Sequence, residues 1–497
     1  MKSHLSTEDL LKFTGNFLTP KEYSKMMRHI EECSQCYDMV INYFRIKYNF
    51  DNVFDNWNAK KHADIFLKNK QEEIPVQEKV QAEFLNLDIS GSLQDFILPD
   101  TSILGDARES YPAIITPQEI LAKEAELKII FSKFGIELKK INVNVGNSVT
   151  VFQLESLSGK SLPEILKERE DIVSLINTPG TRLIENKESK LIELEIPNIV
   201  RPVLNLKNFL SQPEYFAHPQ NLPIIIGQKQ DSSIFMDDLN KLSHMLIAGS
   251  PGSGKSVYMN SLITSLLFKK YPEDLKFVFI DSAKNDFDLF SKLKNHYIAT
   301  SKDVNEYIIK GKKNVLSILK SLEAELKMRY DHFAEAGVKN IMDYNNKFEK
   351  EKIRSSKDLK SKRIPYLLVM INEISEVILS DEAKIIITKL AQSGMDAGIH
   401  FIAATRYPSR EIIKDIIEPI LPSKASYKLD TAKDSLSILN SPDAAGLLDY
   451  GDMLYLPSTV TQPIRIQSPY ISNQDCLKIT NFISSQSTNT IPYFLPS

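Results

Sequence analysis

The sequence predicts an α/β fold in which a small helical module and an α+β domain precede a large parallel sheet. After about residue 224, short apolar strands alternate with amphipathic helices, a pattern typical of a parallel sheet covered on both faces. Between residues 117 and 223 helical and alternating strand patterns are mixed. At 497 residues the chain exceeds what one hydrophobic core supports, so we expect several domains.

Composition and charge exclude several classes of protein. Hydrophobic residues at 42% and charged residues at 25% are typical of globular proteins, and three cysteines are too few for a disulfide framework. We therefore expect a cytoplasmic protein. No run approaches the roughly 18 to 20 unbroken apolar residues that cross a bilayer, so direct membrane insertion is not expected. The formal net charge of −3 indicates no overall basic field, so any contact with nucleic acid must be local.

The N-terminal part divides into a module and a linker. Residues 1–72 are predicted to form short helices, because Ser6 precedes two acidic residues and Pro20 stands at a first helical position. Between residues 73 and 116 the periodicity fades and Pro, Gly, Ser and Asp accumulate, which predicts a linker.

The α+β domain is predicted over residues 117–223, with helical patterns at 119–134 and 162–176 and strand patterns at 142–155 and 190–196. The sheet domain is predicted over residues 224–484. Its strands are expected at 244–248, 277–280, 366–371 and 400–404. We expect an exposed charged loop at 348–363, a last helix at 473–484 and a polar tail at 485–497.

A phosphate-binding loop is predicted after the first of these four strands. Residues 249–256 fit the pattern G-x-x-x-x-G-K-[ST] without a mismatch, and the flanking strand and helix disfavour a simple glycine-rich turn. Backbone N–H groups of such a loop face an anion at a helix N-terminus. Lys255 is expected to bridge the β- and γ-phosphates, and Ser256 to ligate Mg²⁺. The predicted nucleotide-binding residues are Gly249, Ser250, Pro251, Gly252, Ser253, Gly254, Lys255, Ser256 and Val257.

A second acidic position is predicted where the strand at 366–371 ends. Glu373 is the candidate base that polarises the attacking water, since such ATPases place an acid at the end of another strand. Asn372 stands where an Asp is ordinarily found. Its amide oxygen accepts a hydrogen bond from a magnesium-bound water but carries no charge, so we expect weaker binding of magnesium. The alternative is a buried strand that ends in a helix-capping pair.

Several segments of the predicted sheet domain resemble one known family. They are His244–Val257, Met328–Tyr330, Gly337–Asn340 with Tyr344 and Asn345, Gly398–Thr405 and Gly451–Tyr455. Together they resemble the FtsK/SpoIIIE family of double-stranded DNA translocases. Upstream, Ser148–Leu154 and Leu194–Asn198 resemble the α/β domain that precedes the motor in that family. The resemblance covers residues 117–468.

The resemblance implies a RecA-like P-loop ATPase motor at residues 224–484, which binds ATP and Mg²⁺ between subunits of a homo-oligomeric ring. A hexamer with double-stranded DNA threaded through its centre is expected. A basic pore then explains the unremarkable net charge, because six copies need only a few cations each. Two alternatives remain open: a nucleotide-binding regulatory or assembly protein with little sustained hydrolysis, and a protein-secretion ATPase.

Three positions depart from the family pattern. Thr405 is counted among the predicted nucleotide-binding residues. The family usually has Gln and then Arg after this position, but here Arg406 follows directly. Leu436 stands where an Arg typically acts across the subunit interface. With Asn372, these departures make ATP binding a safer expectation than rapid hydrolysis. Arg406 or Arg465 could compensate, so Arg406 is kept as a catalytic candidate beside Lys255, Asn372 and Glu373.

A zinc site is predicted in the N-terminal module. His29 lies four residues before Cys33, which forms a CxxC motif with Cys36, and His4 lies further upstream. Two thiolates and two imidazoles suit tetrahedral Zn²⁺. The pattern resembles the zinc-binding domain of anti-sigma factors, which implies a structural metal and a docking role toward a protein partner. A redox CxxC pair is the alternative reading.

Overall fold

A computed structural model gives the fold of most of the chain after residue 95. It describes residues 96–105, 115–146, 148–157, 160–186, 191–199, 201–218, 222–281, 285–304, 306–354, 363–378, 380–406, 418–486 and 492–496. The predicted zinc module and its four ligands lie outside the described residues.

The smaller domain confirms the predicted α+β architecture. Its antiparallel sheet has the strand order β1-β2-β4-β3 and packs against helices α1 to α3 through a core of its own. The elements are α1 (Pro117–Lys133), β1 (Leu138–Val145), β2 (Val149–Ser156), α2 (Leu162–Lys167), α3 (Arg169–Ile176), β3 (Arg182–Asn186) and β4 (Leu191–Pro197). Helix α1 begins at a capping box, in which Thr116 accepts from Glu119 N and the Glu119 carboxylate accepts from Thr116 N. The single helical pattern at 162–176 is two helices, which meet at Glu168.

The larger domain is built on a ten-stranded sheet of order β10-β8-β11-β12-β7-β13-β14-β15-β5-β6. Its strands are β5 (Pro223–Gln228), β6 (Ile234–Asp238), β7 (Met245–Ala248), β8 (Leu275–Asp281), β10 (Ile308–Ile309), β11 (Tyr366–Asn372), β12 (Ile399–Thr405), β13 (Ser423–Ser426), β14 (Asp452–Leu456) and β15 (Ile464–Gln467). The first six strands in this order are parallel, and the pairs from β13 to β6 are antiparallel.

Helices cover the sheet as the βαβ rhythm predicted. They are α4 (Leu206–Leu210), α5 (Pro213–Ala217), α6 (Leu239–Leu242), α7 (Lys255–Leu267), α8 (Lys312–Ala336), α9 (Ile341–Arg354), α10 (Ile374–Val377), α11 (Asp381–Gly394), α12 (Glu418–Ile420), α13 (Ala432–Leu439) and α14 (Asn473–Ser484). All four strands predicted in this domain are present, as β7, β8, β11 and β12, and every residue of each is buried. Continuous apolar runs identify them because parallel strands are buried on both faces.

Four further segments differ from the sequence-based expectation. Helices α4 and α5 were predicted to lie in the smaller domain, which was expected to end at residue 223, but they pack in the core of the larger domain. The predicted charged loop at 348–363 begins inside α9, which continues to Arg354. Within the predicted linker, Phe96 and Leu104 are buried in the core of the larger domain. Within the predicted polar tail, β16 (Tyr493–Leu495) pairs in parallel with β9 (Ala299–Ser301). A few apolar residues in a polar stretch form these long-range contacts, and the local sequence pattern does not predict them.

A buried ionic cluster joins the two domains. Arg465 on β15 donates to Asp452 at 2.9 and 2.7 Å, to Glu195 of the smaller domain at 3.4 Å and to the Gly180 carbonyl at 2.8 Å. Arg182 also contacts Glu195, at 3.2 Å. Burial disfavours the charged form of Arg465, but Asp452 and Glu195 outweigh this effect and raise its pKa. These contacts hold the Arg465 side chain within the cluster, and the expectation that it could act at the nucleotide is wrong.

Among the described residues, no helix combines the length and apolar character that crossing a membrane requires.

Candidate nucleotide-binding and hydrolysis site

The predicted nucleotide site lies at one edge of the large sheet. Strands β8, β11, β12 and β7 are parallel neighbours in that order, so their carboxyl ends meet at the same edge. The phosphate loop follows β7, Asn372 ends β11 and Glu373 follows it, Thr405 ends β12 and Asp281 ends β8. Because β12 lies between β7 and β11, Thr405 stands between the loop and Glu373.

The phosphate loop has the backbone that its glycines allow. Gly252 and Gly254 have φ of 82° and 114°, in the left-handed region that favours glycine. A Cβ on Gly249 would lie 2.6 Å from Ser253 Oγ and 2.8 Å from Tyr427 Cβ, so a side chain does not fit there. Gly254 caps α7 without a side-chain acceptor, which leaves the first amides of the helix for a ligand.

Lys255 crosses the inside of this loop. Its Nζ donates to the Gly249 carbonyl and, at 2.9 Å, to the Ser250 carbonyl. The Ser253 hydroxyl is buried and has no hydrogen-bond partner within the part of the chain that the structure describes. Phosphate oxygens are stronger acceptors than carbonyls, so a bound nucleotide can draw the ammonium toward it and satisfy this hydroxyl. The loop therefore fits a nucleoside triphosphate.

Glu373 is held by donors from two strand ends. Its carboxylate accepts from the Thr405 hydroxyl at 3.0 Å, from the Ser375 hydroxyl at 2.6 Å and from the Arg406 backbone N–H at 2.9 Å. The Arg406 Nε lies 4.0 Å from the carboxylate. With φ of 72°, Glu373 occupies a backbone region that is costly for a side-chain-bearing residue. Such strain at a buried acid is typical of a functional position.

The magnesium side of the site contains two carboxylates that the sequence analysis missed. Ser256 Oγ donates to Asp286 Oδ2 at 2.9 Å. Asn372 Nδ2 donates to Asp281 Oδ1 at 3.0 Å and to Asp286 Oδ2 at 3.1 Å. A signal for Asp281 was present, because it ends a buried strand predicted to be parallel to the strand before Glu373. Asp286 follows five residues later and had no local pattern.

The predicted site residues fall into three groups. The structure brings Lys255, Ser256, Asn372, Glu373, Thr405 and Arg406 to one edge of the sheet. Leu436 lies elsewhere, on α13, where its side chain is 48% exposed. His4, His29, Cys33 and Cys36 lie outside the described residues, and within those described no cluster of three or more His, Cys, Asp or Glu side chains is arranged to hold a metal.

A parallel sheet with a phosphate loop after one strand and an acid after the next strand but one defines a RecA-like P-loop ATPase. Residues 205–410 match the FtsK/SpoIIIE family, and residues 98–198 match the FtsK alpha domain. The two matched segments follow one another in the order that the motifs predicted, and both resemble domains of FtsK-type ATPases.

Curated relatives agree with this assignment. DNA translocase FtsK of Oceanobacillus iheyensis is 30% identical over 405 residues, which cover 80% of this chain and 50% of the relative. DNA translocase FtsK of Chlorobaculum tepidum is 33% identical over 360 residues, which cover 71% of this chain and 43% of the relative. The chain spans about half the length of the curated relatives it matches.

Among solved structures, that of a conjugation coupling protein, TcpA, with ATPγS is similar at a TM-score of 0.49 and 19% identity, covering 73% of this chain and 98% of that one. Similarity at this level supports no conclusion about function.

Proposed function

We propose that this protein is an ATP-driven translocase of double-stranded DNA that acts as a homo-oligomeric ring, with six subunits expected. The observation that carries the proposal is the meeting of Lys255 and Glu373 at one sheet edge, in a chain with the two FtsK-type domains in order. The relatives of 30% and 33% identity that carry the name DNA translocase supply the substrate class.

Different residues at this edge of the sheet bind the phosphates, the metal ion and the attacking water. Amides at the start of α7 and Lys255 bind and orient the phosphates. Ser256 and its neighbouring carboxylate would hold Mg²⁺, which when bound would supply positive charge to the phosphoryl oxygens. Glu373 orients a water and accepts its proton. Its carboxylate accepts from Thr405, Ser375 and Arg406, and the remaining one of its roughly four acceptor positions serves that water.

A regulatory ATPase with little sustained turnover is the second candidate, and one observation favours it. Three donors of this chain already take three of the roughly four acceptor positions of the Glu373 carboxylate, so little room is left for a water. Arg406 is partly buried beside it, with side-chain exposure of 18%. In a ring, the exposed Leu436 stands where the resembled family has an arginine that acts on the neighbouring subunit, a group worth roughly 10³- to 10⁵-fold in rate.

Duplex DNA is expected to stimulate ATP hydrolysis by the full chain, and Lys255→Ala is expected to abolish this turnover. Removing the ammonium also weakens ATP binding, because it deletes a charge-assisted contact with the phosphates. The measurement is steady-state ATP hydrolysis with and without duplex DNA over a salt series, since phosphate contacts weaken as salt rises.

Lys320→Ala is the matched control, because Lys320 is an exposed lysine on α8 that pairs with Glu382 at 2.7 Å. It should hydrolyse ATP like the wild type. ATP binding with no DNA-dependent turnover in the wild-type chain would reject the translocase and favour the regulatory protein.

We further propose that residues 1–72 form a zinc-stabilised module, held by His4, His29, Cys33 and Cys36, that docks the ATPase to a protein partner. The full chain is expected to contain one equivalent of zinc by elemental analysis and to lose it in Cys33→Ser with Cys36→Ser. Cys476→Ala, at a cysteine buried in the larger domain, should keep the metal. Zinc that persists in the double variant refutes the assignment.

A further inference from the structure

The magnesium site of this ATPase has an amide, Asn372, where a carboxylate is expected, and the carboxylate of Asp286, in the segment after β8, stands beside it. We propose that Asp286 supplies the negative charge for Mg²⁺ that Asn372 lacks, and that Asp281 positions it. This inference rests on the proposed ATPase function. The sequence predicted weaker magnesium binding because Asn372 carries no charge. In this proposal the negative charge lies on Asp286, so the site keeps it.

Asp286 lies close to Ser256, the residue expected to ligate the metal. Ser256 Oγ and Asp286 Oδ2 are 2.9 Å apart. Two oxygens at adjacent corners of an octahedron with Mg–O bonds of about 2.1 Å are about 3 Å apart. The hydroxyl and the carboxylate thus already stand at the separation that magnesium requires of neighbouring ligands. Both groups would bind the metal through oxygen, the ligand atom that magnesium prefers.

Asp281 holds this arrangement in place. Asp281 is 1% exposed, and its Oδ2 accepts from the backbone N–H of Phe287 at 3.1 Å, at the start of the 3-10 helix Asp286–Asn295. Its Oδ1 accepts from Asn372 Nδ2 at 3.0 Å. One buried carboxylate therefore ties the backbone that carries Asp286 to the end of β11. Asp281 is a positioning residue.

The hydrogen bonds that Asn372 donates explain why an amide occupies position 372. The two hydrogens of Asn372 Nδ2 are shared between Asp281 and Asp286, at 3.0 and 3.1 Å. An aspartate there could donate to neither and would add a third negative charge beside two others. The amide satisfies both carboxylates and leaves its own Oδ1 as an acceptor for a metal-bound water. Asn372 is thus matched to acidic neighbours on the β8 side.

The test measures metal affinity rather than activity. Mn²⁺ binding to the full chain is followed by electron paramagnetic resonance in the presence of saturating ATPγS. Asp286→Asn is expected to weaken Mn²⁺ binding by about 10- to 100-fold, while the affinity for ATPγS measured in EDTA stays at the wild-type value.

Two further variants make the result specific. Asp288→Asn is the matched control, because Asp288 lies on the same 3-10 helix but is 49% exposed and pairs with Lys310 at 3.0 Å; its Mn²⁺ affinity should equal that of the wild type. Exchanging the two groups, in Asp286→Asn with Asn372→Asp, should recover most of the lost affinity, because the charge returns to the adjacent position.

The outcomes separate the inference from the function it rests on. Unchanged Mn²⁺ affinity in Asp286→Asn, or an equal loss in Asp288→Asn, overturns the inference. So does a wild-type chain that is saturated with ATPγS and takes up no Mn²⁺ when Mn²⁺ is added. A double variant that recovers no affinity contradicts the relocation of charge. If Mn²⁺ affinity behaves as expected but duplex DNA does not raise hydrolysis, the metal assignment stands and the translocase is rejected.

Discussion

Glu373→Gln is expected to lower the rate of ATP hydrolysis by about 10²- to 10⁴-fold, the range that a general base contributes. Glutamine keeps the size of the side chain and one carbonyl oxygen, but it cannot accept the proton of the attacking water. ATP affinity should remain near the wild-type value, because Lys255 and the amides of the phosphate loop are unchanged. Single-turnover hydrolysis and nucleotide binding, measured on the same preparation, separate the two effects.

The matched control is Glu376→Gln, which makes the same substitution three residues later on α10. Its hydrolysis should equal that of the wild type, since the Glu376 side chain takes no part in the hydrogen bonds described for the site. Wild-type turnover in Glu373→Gln would mean that another group serves as the base. Weakened ATP binding in this variant would instead indicate that the hydrogen bonds to Thr405 and Arg406 mainly stabilise the site.

Arg465→Met is expected to lower the free energy of unfolding by about 3–5 kcal/mol, the cost of breaking a buried ion pair. The guanidinium is 2% exposed, and its removal leaves Asp452 and Glu195 as buried carboxylates with one cation fewer. Since Glu195 belongs to the smaller domain, the variant should also loosen that domain from the sheet. Chemical denaturation measures the first effect, and limited proteolysis between residues 117 and 199 measures the second.

Arg363→Met is the comparison for this variant. Arg363 also pairs with two carboxylates, Asp274 and Glu349, but its side chain is 34% exposed. Partly exposed pairs contribute about 0–1 kcal/mol, so the loss of stability should be small. If both arginine variants lose equally little, the cluster around Arg465 is not a structural requirement.

The parts of the fold with local signals were predicted from the sequence. The strands β7, β8, β11 and β12 appear as continuous apolar runs, and the phosphate loop carries a fixed spacing of Gly, Lys and Ser. Parallel strands then bring their carboxyl ends together, so Lys255, Ser256 and Glu373 were expected at one edge. Each strand and the phosphate loop is recognised from residues that are near one another in the chain, and the parallel arrangement then predicts that their ends meet.

Other features depend on contacts between distant segments. Asp286 meets Ser256 across 30 residues and Asn372 across 86, and Arg465 meets Glu195 across 270. No periodicity or motif marks such pairs, because their geometry exists only once the sheet order is set. The sequence by itself determined the class of ATPase and its phosphate loop. The folded chain determined that Asp286 lies beside Ser256 and Asn372, and that Arg465 joins two domains, because charges act through distance in space rather than along the chain.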